Sequence, residues 1–521
     1  MKRRFPFHPL LFAVYPVLQL FAWNLSEVRF ADTLSALACA LALACLAVAA
    51  ARILLRSLPK AAVMASLFLW LFFSWGNIHL GLKGARIGHF HPAQFWVIGT
   101  FFLATLACAG IALRRARELF NLTRILNAFG LFLVVSCLAL LCAQSARRQS
   151  LPKAGKLKPP APRALAGPGD HPDIYFILLD QYPRSDSLKL ICGGDNRPFL
   201  DGLRKLGFYV ADRSASNYPR TVMTIASMLN MAYLDDKLLG PVKEDCPDLG
   251  VPARAIAHNA VFDFMHEHGY RTVYLPPEYG AGRPEDVDLR LESGASLSEF
   301  NKTVLAMTPI EPIVQWLGLG YSAAELHRRH LLFTLDSLRT LPRTGPSPFF
   351  VYAHLLCPHT PIVWGANGEE IYSDPPLSER QAWLRSPESK RLYAGQVAYL
   401  SKRVEETVAA IIAESREPPA IIVCSDHGTE FEVDWSSAEN SNVQERMADL
   451  AAFYLPNGGE RRLYPTITNV NFFRVVLDGC FGTSYGLLPD RSYFSTDGKP
   501  YRFIPVPMDG PLAHRRLVVA P

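Results

Sequence analysis

The chain has 521 residues, half of them hydrophobic and 19% charged, with a formal net charge of +6. A wholly water-soluble chain would carry about 25% charged residues, so part of this one is solvated by something other than water. The length calls for at least two units at roughly 150 residues each. So small a net charge, with no concentrated basic stripe, excludes nucleic acid as an expected partner.

Five apolar segments come first, at 8–23, 34–51, 61–80, 93–113 and 125–144. Each is near the ~20 residues that carry a helix across a bilayer's hydrocarbon. Pro9 and Pro16 interrupt the first, which makes it the weakest span. A cleaved signal peptide is the alternative there, but no small-residue cleavage site leading into a soluble stretch follows. The second segment carries no charge and is rich in small side chains that suit close helix packing. Lys2, Arg3 and Arg4 precede the first segment, Arg52, Arg56 and Lys60 join the second to the third, and Arg114, Arg115, Arg117 and Arg124 join the fourth to the fifth. The opposite loops hold only Arg29 and the pair Lys83 and Arg86. The positive-inside rule then puts the N-terminus in the cytoplasm, and five crossings deliver everything after about residue 145 outside a plasma or inner membrane. The stretch 146–172, rich in Pro, Gly and basic residues, reads as an extended tether.

From residue 173 short β-branched or aromatic runs alternate with helical stretches, the pattern of an α/β domain with a largely parallel sheet flanked by helices. Strands are expected at 174–180, 272–275, 349–355, 420–426 and 451–456, and helices near 196–206, 221–231, 252–268, 322–340, 388–416 and 468–478. The organisation expected is a membrane domain over 1–145, a tether over 146–172 and a catalytic domain over 173–521. Ligands of such sheets bind at the carboxyl ends of the strands. Two expected strands end in an acid, Asp180 and Asp426, the latter followed at once by His427 and Gly428. A third ends near His354, with His359 close behind. Converging carboxylates and imidazoles make a divalent-metal site, although a strand-end Asp is as often a helix cap. An Asn-Tyr-Pro turn leads into a helix at Thr221, where a hydroxyl meets unpaired amides and the positive end of the helix dipole. Taken alone, a helix cap explains Thr221 as well. Of the cysteines outside the apolar segments, Cys192 and Cys246 could bridge in an oxidising exterior.

Strand-Asp (Asp180), Thr at a helix start (Thr221), His-x4-His-x-Pro (His354, His359, Pro361) and strand-Asp-His-Gly (Asp426, His427, Gly428), in that order, resemble the alkaline phosphatase/sulfatase superfamily. The resemblance covers roughly 173–485. With five spans and a tether in front, the whole plan is similar to the lipoteichoic acid synthase and lipid A phosphoethanolamine transferase families. That resemblance implies a threonine nucleophile that takes a phospho-head-group from a phospholipid and passes it to an envelope glycan or lipid. It implies Thr221 as nucleophile, Asp180, Thr221, Asp426 and His427 as metal ligands, and His359 and His354 as substrate-contacting histidines. Formylglycine sulfatases start this helix with a C/S-x-P-x-R pattern, whereas here Met223 and Ile225 follow Thr221. Gln181 stands where sulfatases favour a second acid, and no Asp-x3-His precedes Asp-His-Gly, so one ion (Mn, Mg, Zn or Ca) is expected rather than two. Thr224 and Ser216 are the fallback nucleophiles, and Arg184 is either a holder of the substrate's anionic group or a surface arginine in a turn. A tethered phosphatase or phosphodiesterase, a sulfatase-like hydrolase and a non-catalytic envelope-assembly scaffold are the alternatives to a transferase.

Overall fold

The structure, a computed structural model, describes residues 5–25, 28, 30–84, 92–149, 172–278, 280, 282–293, 299–317, 323–344, 347–373, 379–456 and 458–508. The expected tether falls almost wholly outside the described residues. Two compact units emerge: 1–150 together with 297–322, and 151–296 together with 323–521. The catalytic stretch is therefore not continuous from residue 173, because a short internal segment belongs to the helical unit.

The helical unit consists of α1 (His8–Trp23), α2 (Phe30–Leu55), α3 (Leu58–Gly84), α4 (Pro92–Arg115) and α5 (Phe120–Gln149), followed by two short helices of the internal segment, Glu299–Ala306 and Ile310–Trp316. Four of the five N-terminal helices are long and apolar enough to cross a membrane. The fifth, α1, has 16 residues with Pro16 inside, and falls short of that length. It is nevertheless a core element. Ala13, Val17 and Phe21 are buried together with Ala36, Ala40 and Ala44 of α2 and Leu69 and Phe73 of α3. The alanine row on α2 is what allows this close approach.

The second unit is an α/β layer. Its strands are β1 (Ile174–Leu179), β2 (Tyr209–Val210), β3 (Arg271–Leu275), β4 (Leu289–Arg290), β5 (Phe349–Leu355), β6 (Ile362–Trp364), β7 (Glu370–Ser373), β8 (Ala420–Cys424), β9 (Ala451–Tyr454), β10 (Ser492–Phe494) and β11 (Ile504–Val506). Seven of them form one sheet in the order β2-β9-β8-β1-β5-β3-β4. The β8-β1-β5-β3-β4 run is parallel, while β9 is antiparallel to β8 and β2 to β9. Every residue of β1, β5 and β8 is buried, as expected of strands covered on both faces. Ile174, Phe176 and Leu178 face one core with the helices Thr221–Asn230, Ala260–Glu267 and Phe472–Cys480. Tyr175, Ile177 and Leu179 face the other, with the helices Arg197–Lys205, Ala323–Thr344 and Pro387–Glu414.

Two expectations need correction. The helix expected over 252–268 is two, Gly250–Ala257 and Ala260–Glu267, because Asn259 is extended and its side chain caps the second by accepting from the Phe262 amide at 3.0 Å. Cys192 and Cys246 are both free thiols: Cys246 lies in the core on one sheet face and Cys192 packs against the core on the other. The antiparallel β2–β9 edge was not foreseen, since a two-residue strand carries no readable alternation.

Candidate active site

β1, β5 and β8 lie side by side in parallel register, with Leu178 of β1 paired to both His354 and Cys424. The residues just past their ends therefore arrive at one edge of the sheet. Gln181, in the left-handed region at φ 66°, turns the chain so that its amide donates to Asp426 Oδ1 at 3.1 Å. That turn sets Asp180 opposite Asp426. Asp180, Asp426 and His427 are all buried, and one ligand atom from each lies within 4.8 Å of the others.

Proton bookkeeping defines what this cluster can accept. Arg446 is only a donor, and its guanidinium lies 2.9 Å from His427 Nε2, so Nε2 carries a lone pair. The ring proton then sits on Nδ1, 3.1 Å from the Gly428 carbonyl. Nε2 is also 3.0 Å from Asp426 Oδ2 and 3.0 Å from the Thr221 hydroxyl oxygen. Asp180 Oδ1 and Asp426 Oδ2 are buried and accept no hydrogen bond. Buried, unsatisfied acceptors cost on the order of 1–3 kcal/mol each, more when charged. A divalent cation is the partner that would satisfy both oxygens and the imidazole lone pair at once, so the donor set fits the ion expected from the sequence. Burial by itself would raise the Asp426 carboxyl, but the His427 and His354 rings, when protonated, hold it well below the ordinary carboxylate range.

Thr221 is the first residue of its helix, preceded by an extended Arg220 whose carbonyl accepts from the amides of Met223 and Thr224. The amides of Thr221 and Val222 have no acceptor within the helix, the arrangement that suits an anion. The fallback hydroxyls are tied elsewhere: Thr224 and Ser216 are buried and both donate to the Tyr218 carbonyl, at 2.9 and 3.1 Å. His354 is buried with Nε2 3.2 Å from Asp180 Oδ2, a place that suits holding the carboxylate more than touching substrate. His359 is half-buried. Its backbone amide donates to the Asp180 carbonyl at 3.1 Å, and its Nδ1 lies 2.6 Å from the Thr360 carbonyl, which leaves Nε2 for proton exchange. Arg184 is neither a surface residue nor a substrate holder: it is buried, forked onto Asp186 at 2.7 and 2.9 Å, and donates to the Ser214 carbonyl.

Sequence reasoning missed a second ring of groups. Arg446, fully buried, donates to the carbonyls of Pro219 at 2.8 Å and Gly428 at 3.1 Å as well as to His427. Its guanidinium lies 5.1 Å from the centre of the Trp435 ring, and that of Arg220 lies 4.7 Å from it. The Trp435 indole donates to Glu430 Oε2 at 3.2 Å, and Arg380 donates to Oε1 at 2.8 Å. Burial would raise Glu430, but Arg446 and Arg380 hold it down to about 2. Burial pushes Glu445 up to about 7, although Thr429, Phe431 and Glu432 all donate to it, shaping the loop after Gly428. Nothing in the letters around Arg446 distinguishes a buried arginine from an exposed one.

Gly428 is needed for space. A Cβ there would lie 2.2 Å from the Glu445 carbonyl oxygen and 2.6 Å from that of Ala448. Gly428→Ala is expected to cost about 3 kcal/mol and to displace His427. A lowered denaturation midpoint, with bound metal lost in parallel, checks this.

Two strand-end carboxylates, an imidazole and a helix-start hydroxyl on a mostly parallel sheet define an enzyme of the sulfatase type, built around a metal site. The Sulfatase family model matches residues 172–476, more than half of the chain, and the protein belongs to that family. No curated protein matches it. Among solved structures, it is similar to the periplasmic domain of EptC from Escherichia coli (14% identity, 68% of this chain and 95% of that one, TM-score 0.41), a domain also solved in complex with Zn. It is also similar to the periplasmic domain of the phosphoethanolamine transferase EptC from Campylobacter jejuni (12%, 60% and 90%, 0.37) and to the phosphonate monoester hydrolase of Agrobacterium radiobacter (12%, 62% and 80%, 0.40).

Proposed function

We propose that the protein is a membrane-anchored transferase that moves a phospho-head-group, of phosphoglycerol or phosphoethanolamine type, from a lipid donor through a phosphothreonine at Thr221 to an envelope glycan or lipid. The observation that carries this is the Thr221 hydroxyl, 3.0 Å from His427 Nε2 at the rim of a buried cluster with two unsatisfied carboxylate oxygens. A divalent ion (Mn, Mg, Zn or Ca) held by Asp180, Thr221, Asp426 and His427 would supply polarisation of the hydroxyl and of a phosphate oxygen. The free amides of Thr221 and Val222 share the phosphoryl group's charge, and Arg446 adds a fixed positive centre beside it. The Thr221 oxygen forms the bond to phosphorus as the bond to the diacylglycerol oxygen breaks. His359, through Nε2, is placed to give that oxygen its proton, so the proton lost by Thr221 equals the one gained by the alcohol. In the second half an acceptor hydroxyl forms the new bond to phosphorus, the bond to Thr221 breaks, and the acceptor's proton replaces the one Thr221 lost.

The membrane suits a lipid-borne donor because it holds the chemistry near the head-group layer. The cation-rich loops at 52–60 and 114–124 support a cytoplasmic N-terminus, five crossings and a periplasmic or extracellular catalytic unit. The test is to incubate the protein with vesicles of phosphatidylglycerol and phosphatidylethanolamine, quench in acid and map the peptides by mass spectrometry. A head-group phosphate on the Thr221 peptide, discharged when acceptor is added, is the expected result. Lipid consumed with Thr221 unmodified overturns the covalent route, and discharge to water alone makes the protein a phosphodiesterase.

A further inference from the structure

The internal segment 299–317 follows β4 in sequence and precedes the helix Ala323–Thr344, yet it packs with the helical unit. Phe300 and Val304, one turn apart, are buried with Ala13, Val17, Phe21, Ala36, Ala40, Leu69 and Phe73. The Asn301 amide donates to Ser35 Oγ at 3.1 Å, and the Ser35 hydroxyl lies 3.3 Å from Asn301 Oδ1. The Gly76 amide donates to the Met307 carbonyl at 3.1 Å. A Cβ at Gly76 would stand 2.3 Å from the Ala306 carbonyl oxygen, so only glycine lets α3 come this close. The two hydrogen-bonded contacts, at Ser35 and Gly76, fall at the start of α2 and in the second half of α3. They gather at one end of the bundle, opposite the end that carries Arg52, Arg56 and Lys60.

Beyond this keyed helix the second one, Ile310–Trp316, leaves an apolar edge uncovered. Ile310, Ile313 and Leu317, at i, i+3 and i+7, are 38%, 38% and 51% exposed. Such an edge is a liability in water. Here it belongs to the same compact unit as four helices apolar enough to cross a bilayer, and between residues 310 and 316 Glu311 is the sole formal charge. That composition suits the boundary between head groups and acyl chains.

We propose that residues 299–317 form a membrane-seated foot: the first helix locks into the outer ends of α1–α3, and the second immerses Ile310, Ile313 and Leu317 in the outer leaflet. This rests on the outward placement within the proposed function, not on phosphoryl transfer. A photoreactive benzoylphenylalanine placed at 310 or 313 of the full chain, irradiated in native membranes and analysed by mass spectrometry, tests it, with the same group at exposed Ser436 as the control. Phospholipid adducts at 310 and 313, about tenfold above Ser436, are expected. Adducts to another protein, or lipid adducts no more frequent than at Ser436, overturn the proposal. The yield should be the same in a Thr221→Ala background, so failure of the chemistry and failure of the foot give different outcomes.

Discussion

Replacing Thr221 by alanine should lower transfer by roughly 10⁴-fold or more, the scale seen when an enzyme loses its nucleophile. The fold should survive. Thr221 is half-buried at a helix start, its hydroxyl bonds to His427 and interacts with Asp426, and alanine keeps helical propensity, so stability should change by no more than about 1 kcal/mol. Metal content should fall only modestly, because Asp180, Asp426 and His427 remain. Thr221→Ser keeps the oxygen and should retain most of the transfer that alanine abolishes. Lipid-product assays on the three proteins, beside denaturation curves and metal analysis, check the set. An alanine variant that still forms product would move the covalent role to another group.

Asp426→Asn should have the second largest effect, through a different route. Asp426 Oδ1 accepts from the amides of Gln181 and His427, both at 3.1 Å, and the asparagine oxygen can keep both bonds. What changes is Oδ2, the buried oxygen that accepts nothing, which becomes an NH₂ group. Metal affinity should fall by at least about 100-fold, exceeding the loss expected when only a supporting partner of a ligand is removed. The variant's metal-free fold should be less stable than the parent's at neutral pH, where the depressed carboxyl contributes stability. The sign against acid follows from the depressed Asp426 carboxyl. A depressed carboxyl contributes stability above its unfolded value near 3.9 and loses it as pH falls towards its folded value. The variant should therefore lose less stability on acidification than the parent. Metal titration at neutral pH and denaturation across the acid range are the two measurements.

The parts of the site that sequence made legible are those that follow from strand ends and helix starts. Buried parallel strands such as β1 and β8 are short apolar runs, and a polar residue directly after each one falls at the sheet's carboxyl edge. Asp180, Asp426 and His427 were readable for that reason, and Thr221 because an Asn-Tyr-Pro turn marks where its helix begins. His354 was readable as a strand-end residue, but its contact with Asp180 depends on the β1–β5 register. Arg446, Glu430 and Trp435 were not legible, because their burial arises from the loop folding back after Gly428 and leaves no local period. The pairing of Cys192 with Cys246 failed for a related reason: compartment chemistry permits a bridge, but only topology says that a sheet lies between the two thiols. The internal segment was missed because amphipathic helices of eight and seven residues look the same whether they cover a sheet or a bundle.

That segment also governs how the protein comes apart. A soluble fragment beginning at residue 173 would still contain Phe300, Val304, Ile310 and Ile313, now stripped of the alanine-lined surface that sheathes the first two. Proteolysis within 146–172 would sever the backbone, yet the piece released would go on gripping the helices it was cut from. Liberating the enzyme from its anchor takes scission on both flanks of 299–317 as well, so that this stretch stays behind with the helices.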